Sequence, residues 1–293
     1  MLARLPDPLL DSCRCNLAAP FGDDPARDFA LHKDTGNIQL TALKRYLDEQ
    51  QQLLWANRSQ AVLIWLQGLD CSGKDGVIRK LFCGLNPQGV QVSNFQLPSA
   101  AERNEGFLAR YRRRLPAPGS IGIFNRTPYE GVVGDVQDGF ITPAAVPERL
   151  QQIAAFEDEL SNAGIHLLKI YLQISPAEQF KRLRKRIITP RKHWKLSAAD
   201  LQGHRQFALY QSQWANILSR SHSPAAPWYV LPADHKWLRN LLLASLLARQ
   251  FATLNQQWPM PPLPFSLQQL QQTERPTNLA PWIGLSAMQR PAN

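Results

Sequence analysis

The chain has 293 residues, 44% of them hydrophobic, which suits a soluble globular protein of one large domain or two small ones. No apolar run approaches the ~20 residues a spanning helix needs, and the N-terminus carries charges and prolines where a secretory signal is uninterrupted. A cytoplasmic protein with no membrane partner is expected, and its formal net charge of +10 favours a polyanion as partner.

After a proline-containing arm, Leu40, Leu43, Leu47 and Leu54 predict a helix over 38–58. The run AVLIWLQ at 61–67 predicts a strand, followed by a glycine-rich loop and a helix over 74–83. A short strand is expected over 90–97 and a helix over 100–114, ending before Pro116. Residues 120–124 form the next strand and lead straight into Asn125-Arg126-Thr127-Pro128-Tyr129-Glu130. Pro at the first position and Gly164 beyond the end bound a helix over 147–163. An apolar strand follows over 165–173. Ser175, Pro176 and Glu178 then form a capped start of a further helix. A helix over 197–220, a strand over 228–231 and a helix over 236–254 complete the pattern.

Strands separated by helix-length segments imply an α/β fold, a parallel sheet with helices on both faces. Ligands of such sheets sit beyond the carboxyl ends of the strands, so the segments after Gln67 and Phe124 should converge. The chain divides into an N-terminal arm and helix (1–58), a core domain (59–257) and a Pro/Gln-rich tail (258–293) that packs on the domain, packs on another subunit, or is disordered.

The segment Gly68-Leu69-Asp70-Cys71-Ser72-Gly73-Lys74-Asp75-Gly76 carries the most chemistry. It fits G-x-x-x-x-G-K through Lys74, then departs, because Asp75 stands where a phosphate loop normally has Ser or Thr. A glycine-rich turn between strand and helix aims N–H groups at one point, a ready anion site. Gly68, Ser72, Gly73, Asp75 and Gly76 are therefore candidate phosphate-binding residues, and Lys74 a point charge over the phosphates. Without the usual hydroxyl, Asp70 is the candidate for the metal.

In the second motif Asn125 offers a carbonyl to Mg²⁺ but no charge, and Arg126 can clamp a phosphate bidentately. Glu130 is either a metal or water ligand or a solvated carboxylate; with Asn125 and Tyr129 it makes up the candidate nucleotide side. Two basic concentrations occur, at 110–114 and at 181–195, the second in the region where P-loop kinases carry a mobile lid. Arg182 and Arg186 share one helical face there, followed by Arg191, Lys192 and Lys195. Trp194, in the same run, either stacks on a base or has a core or lid-anchoring role.

No His pairs with Ser or Cys in a nucleophile motif, and no HRD-like base is present. Transfer onto an already anionic phosphate needs no base, only neutralisation by metal and cations. The cysteines Cys13, Cys15, Cys71 and Cys83 lack redox or zinc spacing and are expected as free thiols in a reducing compartment. The alternative for Cys71 alone is sensitivity to oxidation, since an electropositive loop lowers a thiol pKa.

Together these motifs resemble the polyphosphate kinase 2 family, which moves phosphoryl groups between inorganic polyphosphate and nucleotides. WLQGLDCSGKDGVIRK resembles its phosphate loop, NPQGVQVSNFQLPSAAE the next segment, and GSIGIFNRTPYE the second motif; ITPRKHWKLSAAD is similar to its lid and APWYVLPADHKWLRN to its last strand and helix. The resemblance covers about 31–261. It implies a P-loop kinase fold of the thymidylate-kinase type, three-layer α/β/α with a parallel central sheet and a helical lid (about 176–200), with Mg²⁺ or Mn²⁺ and a homodimer or homotetramer. It implies catalytic roles for Asp70, Lys74 and Arg126, metal binding by Asp70 and Asn125, and polyphosphate facing Arg182, Arg186, Arg191, Lys192 and Lys195.

The motif forms are closer to the branch that uses nucleoside mono- and diphosphates. The expected reaction is reversible transfer of the terminal phosphoryl group of polyphosphate to AMP or ADP, giving ADP or ATP, with guanine nucleotides as further acceptors. The alternatives are an ATP-dependent nucleotide kinase of the same fold and a polyphosphate-binding protein impaired in catalysis. No nucleic-acid reading motif accompanies the basic runs. The chain departs from the family at Thr127-Pro128, at Ala109 and at Gly131, where similar sequences carry a second acid after Glu130.

Overall fold

The structure is a computed structural model that describes residues 4–22, 30–137 and 139–273. Residues through Trp258 form one compact unit built on a five-stranded sheet. Its strands are β1 (Ala61–Gln67), β2 (Val90–Asn94), β3 (Ile121–Asn125), β4 (Ile165–Gln173) and β5 (Trp228–Pro232). They lie in the order β2-β3-β1-β4-β5, and every pairing is parallel. Every residue of β1 is buried, which explains why its sequence is a continuous apolar run rather than an alternation.

Alternate β1 side chains feed two cores. Val62, Ile64 and Leu66 join Leu40, Leu43 and Leu47 of the helix Lys33–Asn57 and Leu242 and Leu246 of the helix Lys236–Thr253. Leu63 and Trp65 join Ile153 and Phe156 of the helix Val146–Asn162 and Trp214 and Leu218 of the helix Phe207–Ser221. Helices thus cover both faces, giving the three-layer architecture of a P-loop kinase.

The N-terminal segment caps the β5 edge: Cys15 N donates to Trp228 O at 2.8 Å and Val230 N to Cys13 O at 2.7 Å. Buried Leu5 and Leu10 fix it to the core. From Pro259 a second unit contains one short helix, Leu267–Gln271; the rest of the expected tail, 274–293, lies outside the described residues. No helix among the described residues is long and apolar enough to cross a membrane.

Three expected elements differ. The strand expected to reach 97 stops at Asn94. The helix over 100–114 is two short pieces, Ala100–Asn104 and Ala109–Arg112, separated by Gly106 with φ 89°. The helix over 197–220 breaks at Gln206 into Ala198–Arg205 and Phe207–Ser221.

One charged pair lies inside the second core. Lys169, fully buried in β4, donates to both oxygens of Glu157 at 2.9 Å and to Ser221 O at 2.8 Å. Burial pushes the Glu157 carboxyl up and the Lys169 ammonium down, and their mutual attraction opposes both shifts. Removing either partner would strand a buried charge, so the pair acts as a structural unit.

Candidate active site

Because β3 lies beside β1, the segments that follow them meet beyond the carboxyl edge of the sheet; Leu66 is in register with Asn125. The loop after β1 requires glycine at two points. At Gly68, φ 148°, an added Cβ would lie 2.6 Å from Leu172 O, and at Gly73, φ 103°, it would lie 2.0 Å from Arg239 Nη1. The loop is therefore pressed against β4 and against the helix Lys236–Thr253, and the helix Lys74–Leu81 starts from it. Gly76 is not so constrained, since a Cβ there meets only Arg239 Nη2 at 3.7 Å.

Lys74 folds back over the loop, donating to Gly68 O at 2.6 Å. Desolvation lowers its pKa, and the neighbouring Asp70 carboxylate opposes that shift. Asp70 lies 3.8 Å from Arg126 Nη2, and Arg126 Nη1 lies 3.8 Å from Glu130 Oε1, so Arg126 bridges two carboxylates at the mouth of the cradle. Glu130 Oε2 also accepts from Gln67 Nε2 at 2.6 Å, while Gln67 Oε1 accepts from Thr127 N at 3.2 Å. Gln67 thereby holds the second motif against the end of β1. Lys74, Asp70, Arg126 and Glu130 line one cavity of about 630 Å³, within the range of small-molecule sites.

Asn125 Nδ2 donates to Asp75 Oδ1 at 3.0 Å and to Asn94 Oδ1 at 2.8 Å. Its own Oδ1 is buried and has no partner among the described residues. Burial pushes the Asp75 carboxyl up, but the Asn125 amide and the Lys195 ammonium outweigh this and hold it below its ordinary value. Asp75, the residue in the unusual position, is thus a junction between β3 and the lid.

The lid region has two parts. The helix Pro176–Ile187 is rooted: buried Gln179 donates to Asp70 O at 3.0 Å. Beyond it, the turn Pro190–Lys195 carries exposed Arg191, half-buried Lys192 and Lys195, whose Nζ lies 3.4 Å from Asp75 Oδ2. Trp194 is 78% exposed, so it anchors nothing in the core; the Lys195 ammonium lies 4.7 Å from its ring centroid.

Four expectations are corrected. Arg182 does not face the cavity: Nη1 donates to Cys71 O and Ser72 O at 2.9 and 3.1 Å, Nη2 to Ala233 O and Asp234 O at 2.7 and 2.9 Å, and Nε to Glu178. Its donors are committed to backbone, so it props the phosphate loop from behind. Arg186 is likewise engaged, with Lys195 O at 3.1 Å and Asp200 at 3.2 Å, and it ties the turn to the lid helix. Tyr129 is buried in the second core, where its hydroxyl donates to Glu157 at 2.7 Å, out of reach of a nucleotide. The Ser72 side chain is fully buried, and its carbonyl accepts from Arg182 and Arg239.

The alternative for Cys71, a lowered thiol pKa, is also reversed. Burial raises its thiol pKa to about 11, the nearby Arg186 lowering it by less. Gln67 has a readable signal in the sequence, a polar residue ending an otherwise apolar strand at the carboxyl edge; Asn94 has none, because β2 is polar at Gln91 and Ser93 as well.

The donors available to a divalent cation are oxygens: the carboxylates of Asp70 and Asp75 and the partnerless Asn125 carbonyl. Among the described residues no group of three or more His, Cys, Asp or Glu could hold a metal. That donor set fits a hard cation such as Mg²⁺, which keeps several waters and takes phosphate oxygens from its substrate.

The family model for polyphosphate kinase 2 matches residues 30–259. The chain is 35% identical over 241 residues to an AMP/ADP-polyphosphate phosphotransferase of Meiothermus ruber, covering 82% of this chain and 90% of that one. It is 39% identical over 225 residues to an ADP-polyphosphate phosphotransferase of Rhodopseudomonas palustris, covering 73% and 78%. A crystal structure of polyphosphate kinase 2 from Arthrobacter aurescens matches with a TM-score of 0.84 at 29% identity, over 91% of this chain and 97% of that one. On the span of the family model and the likeness to relatives of comparable length, this chain belongs to the polyphosphate kinase 2 family.

Proposed function

We propose that the chain transfers the terminal phosphoryl group of inorganic polyphosphate to AMP or ADP, reversibly and with Mg²⁺. The observation that carries this reading is the meeting of Lys74, Asp70 and Arg126, from the ends of two adjacent strands, on one cavity, with the cationic turn Pro190–Lys195 tied through Lys195 to Asp75 next to Lys74. Homologues named as AMP/ADP- and ADP-polyphosphate phosphotransferases support it.

An oxygen of the nucleotide's terminal phosphate forms the new bond to phosphorus as the anhydride bond to the polyphosphate chain breaks. The electron pair leaves with the shortened chain. One anhydride replaces another, so the reaction runs both ways, and the anionic acceptor needs no general base. Lys74 and Arg126 neutralise the transferring group, and Asp70, 3.8 Å from Arg126, keeps that guanidinium oriented. Lys195, Arg191 and Lys192 screen the polyphosphate chain. Asp70, Asp75 and the Asn125 carbonyl would hold Mg²⁺, which when bound supplies further charge neutralisation on the phosphate oxygens.

The test is a donor-by-acceptor matrix, polyphosphate and ATP against nucleoside mono- and diphosphates, with and without Mg²⁺. Turnover of AMP or ADP with polyphosphate, lost on chelation, is expected. Turnover with ATP as the sole effective donor would establish an ordinary nucleotide kinase instead. The proposed assembly is a homodimer or homotetramer, which light scattering reads directly.

A further inference from the structure

One buried cation behind the phosphate loop is used by no step of the transfer. Arg239, in the first turn of the helix Lys236–Thr253, is 2% exposed and is not among the residues that line the cavity. Its Nη1 donates to Ser72 O at 3.2 Å, and its Nε and Nη2 donate to Asn240 Oδ1 at 3.2 and 2.9 Å. The guanidinium also occupies the space of two missing side chains. At Gly73 an added Cβ would run into Nη1, and at Gly76 it would lie 3.7 Å from Nη2. Glycine at these positions lets a positive charge press against the backbone on either side of Lys74 and Asp75.

The hydrogen-bond partners of Arg239 are neutral oxygens, and among the described residues it forms no ion pair with a carboxylate. Its charged neighbour is a second cation, Arg182, whose Nη1 donates to the same Ser72 O at 3.1 Å. Glu178 is already taken by Arg182 at 2.9 Å and by Lys181 at 3.2 Å. Burial, and after it Arg182, lowers the Arg239 pKa to about 10, which leaves the group charged at neutral pH. A buried charge with neutral partners costs stability until a counter-charge comes near.

Peptide geometry shows where a counter-charge can come from. The described peptide bonds are trans, so a carbonyl and the next N–H point opposite ways. Ser72 O is turned toward both guanidinium groups, so the Gly73 N–H is turned away from them. Asp70 O is likewise held by Gln179 at 3.0 Å, which turns the Cys71 N–H away from the lid helix. Successive N–H groups turned to one side of a loop make a concavity for an anion. An anion held there has Arg239 on the far side of a single layer of backbone.

We propose that Arg239 is a positioning residue whose charge is completed by the phosphate held in the loop, so that it strengthens anion binding without touching the anion. The inference rests on reading this loop as a phosphate site, whichever donor supplies the phosphoryl group. It separates two tasks within one side chain. The fork holds Ser72 and Asn240, while the charge acts through the loop on the substrate.

The test compares Arg239→Met, Arg239→Gln and Arg239→Lys with the parent. Calorimetry with inorganic tripolyphosphate and Mg²⁺ reads affinity, and the melting temperature of the ligand-free protein is read alongside. R239M and R239Q should bind tripolyphosphate about tenfold more weakly, while R239K, which keeps the charge, should stay within about threefold of the parent. Stability should rank the variants the other way. R239M and R239K both lose the fork, but only R239K keeps a buried charge, so R239K should melt no higher than R239M. A merely structural role would make affinity follow stability. An R239M or R239Q protein that folds and binds tripolyphosphate like the parent overturns the inference, as does an R239K that binds as weakly as they do. If R239M does not fold, R239Q, which keeps a donor for Ser72 O, decides by the same comparison; if R239K does not fold, the neutral variants decide against the parent. A parent that binds tripolyphosphate but shows no polyphosphate-dependent turnover counts against the transfer reading alone.

Discussion

Lys195 Nζ lies 3.4 Å from Asp75 Oδ2, so the turn beyond the lid helix touches the first turn of the helix behind the phosphate loop. Asp75 is shared, because its other oxygen accepts from Asn125 at the end of β3. Three segments distant in sequence meet on one carboxylate. The aspartate in place of the usual hydroxyl therefore has a visible structural task, joining the loop to the lid.

Both members of that pair are solvent-accessible, and such pairs contribute only ~0–1 kcal/mol to stability. Lys195→Ala should accordingly move the melting temperature by no more than about 2–4 °C. Its effect belongs to substrate. The KM for polyphosphate should rise roughly fivefold at low salt, the equivalent of ~1 kcal/mol, and the difference from the parent should shrink in added salt, because the lost phosphate contact is one that salt screens. An unchanged polyphosphate KM at every salt concentration would remove Lys195 from the binding surface.

Lys74 and Asp70 should behave in the opposite way. The Lys74 ammonium bonds to Gly68 O and points into the cavity, and half-exposed Asp70 pairs at 3.8 Å with Arg126. Lys74→Ala and Asp70→Asn should each lower kcat by about 10²–10³ through lost electrostatic stabilisation, with far-UV circular dichroism unchanged. Lys74→Arg should not restore the rate, since a planar fork cannot occupy the place of a compact ammonium folded under the loop. Near-parent kcat in either loss variant would take these residues out of the reaction.

Arg182 is predicted to matter for folding. Its guanidinium gives four bonds to backbone oxygens of the phosphate loop and of the segment after β5, and one to Glu178. Bonds from a charged donor contribute ~1.5–3 kcal/mol each but do not add fully. Arg182→Ala should cost about 2–4 kcal/mol, which urea denaturation would read as a lower midpoint with an unchanged slope. If stability is kept and only polyphosphate affinity falls, Arg182 is a binding residue after all.

The sequence made the sheet legible because β1 is apolar on both faces and β4 is apolar at most of its positions, and it marked helix starts where Ser175 and Ser197 cap them. It also implied that the segments carrying Lys74 and Arg126 meet, since the carboxyl ends of adjacent parallel strands share an edge. It did not show the break at Gln206, where no Gly or Pro marks the end of the first helix. Nor could it separate Tyr129 from Glu130: neighbours at a helix start face different ways, and only packing sends one into the core and the other to the cavity. The partners of Arg182 are backbone carbonyls, which leave no trace in a sequence. The same holds for Lys169 with Glu157, a pair joined only by the docking of a helix on β4.

Thiol reactivity offers a check on the buried side of the loop. Burial raises the Cys15 and Cys71 thiols to about 11, so both are almost wholly protonated at neutral pH. Raising the pH from 7 to 9 leaves each still below its pKa, with about one molecule in a hundred as thiolate. In the native protein an alkylating reagent should therefore modify exposed Cys83 first and leave buried Cys13, Cys15 and Cys71 until the chain unfolds. Mass spectrometry of the modified peptides would decide, and rapid native labelling of Cys71 would show that the loop opens to solvent.

Asn125 is the most direct probe of the metal. Its Oδ1 is buried with no partner among the described residues, while its amide nitrogen already serves Asp75 and Asn94. An acceptor left without a donor costs about 1–3 kcal/mol unless a ligand takes it, and a divalent cation or a water bound to one is the ligand this neighbourhood suits. Asn125→Ala removes that oxygen and frees Asp75, so the Mg²⁺ concentration for half-maximal activity should rise by about tenfold, as for other supporting ligands of metal sites. Asn125→Asp replaces the carbonyl with a carboxylate and should lower that concentration, although it sets a like charge beside Asp75. Because it also lacks the amide donor, it should loosen the contact with Asn94 and lower the melting temperature. An identical Mg²⁺ dependence in the parent and in both variants would place the cation on Asp70 and the substrate phosphates alone.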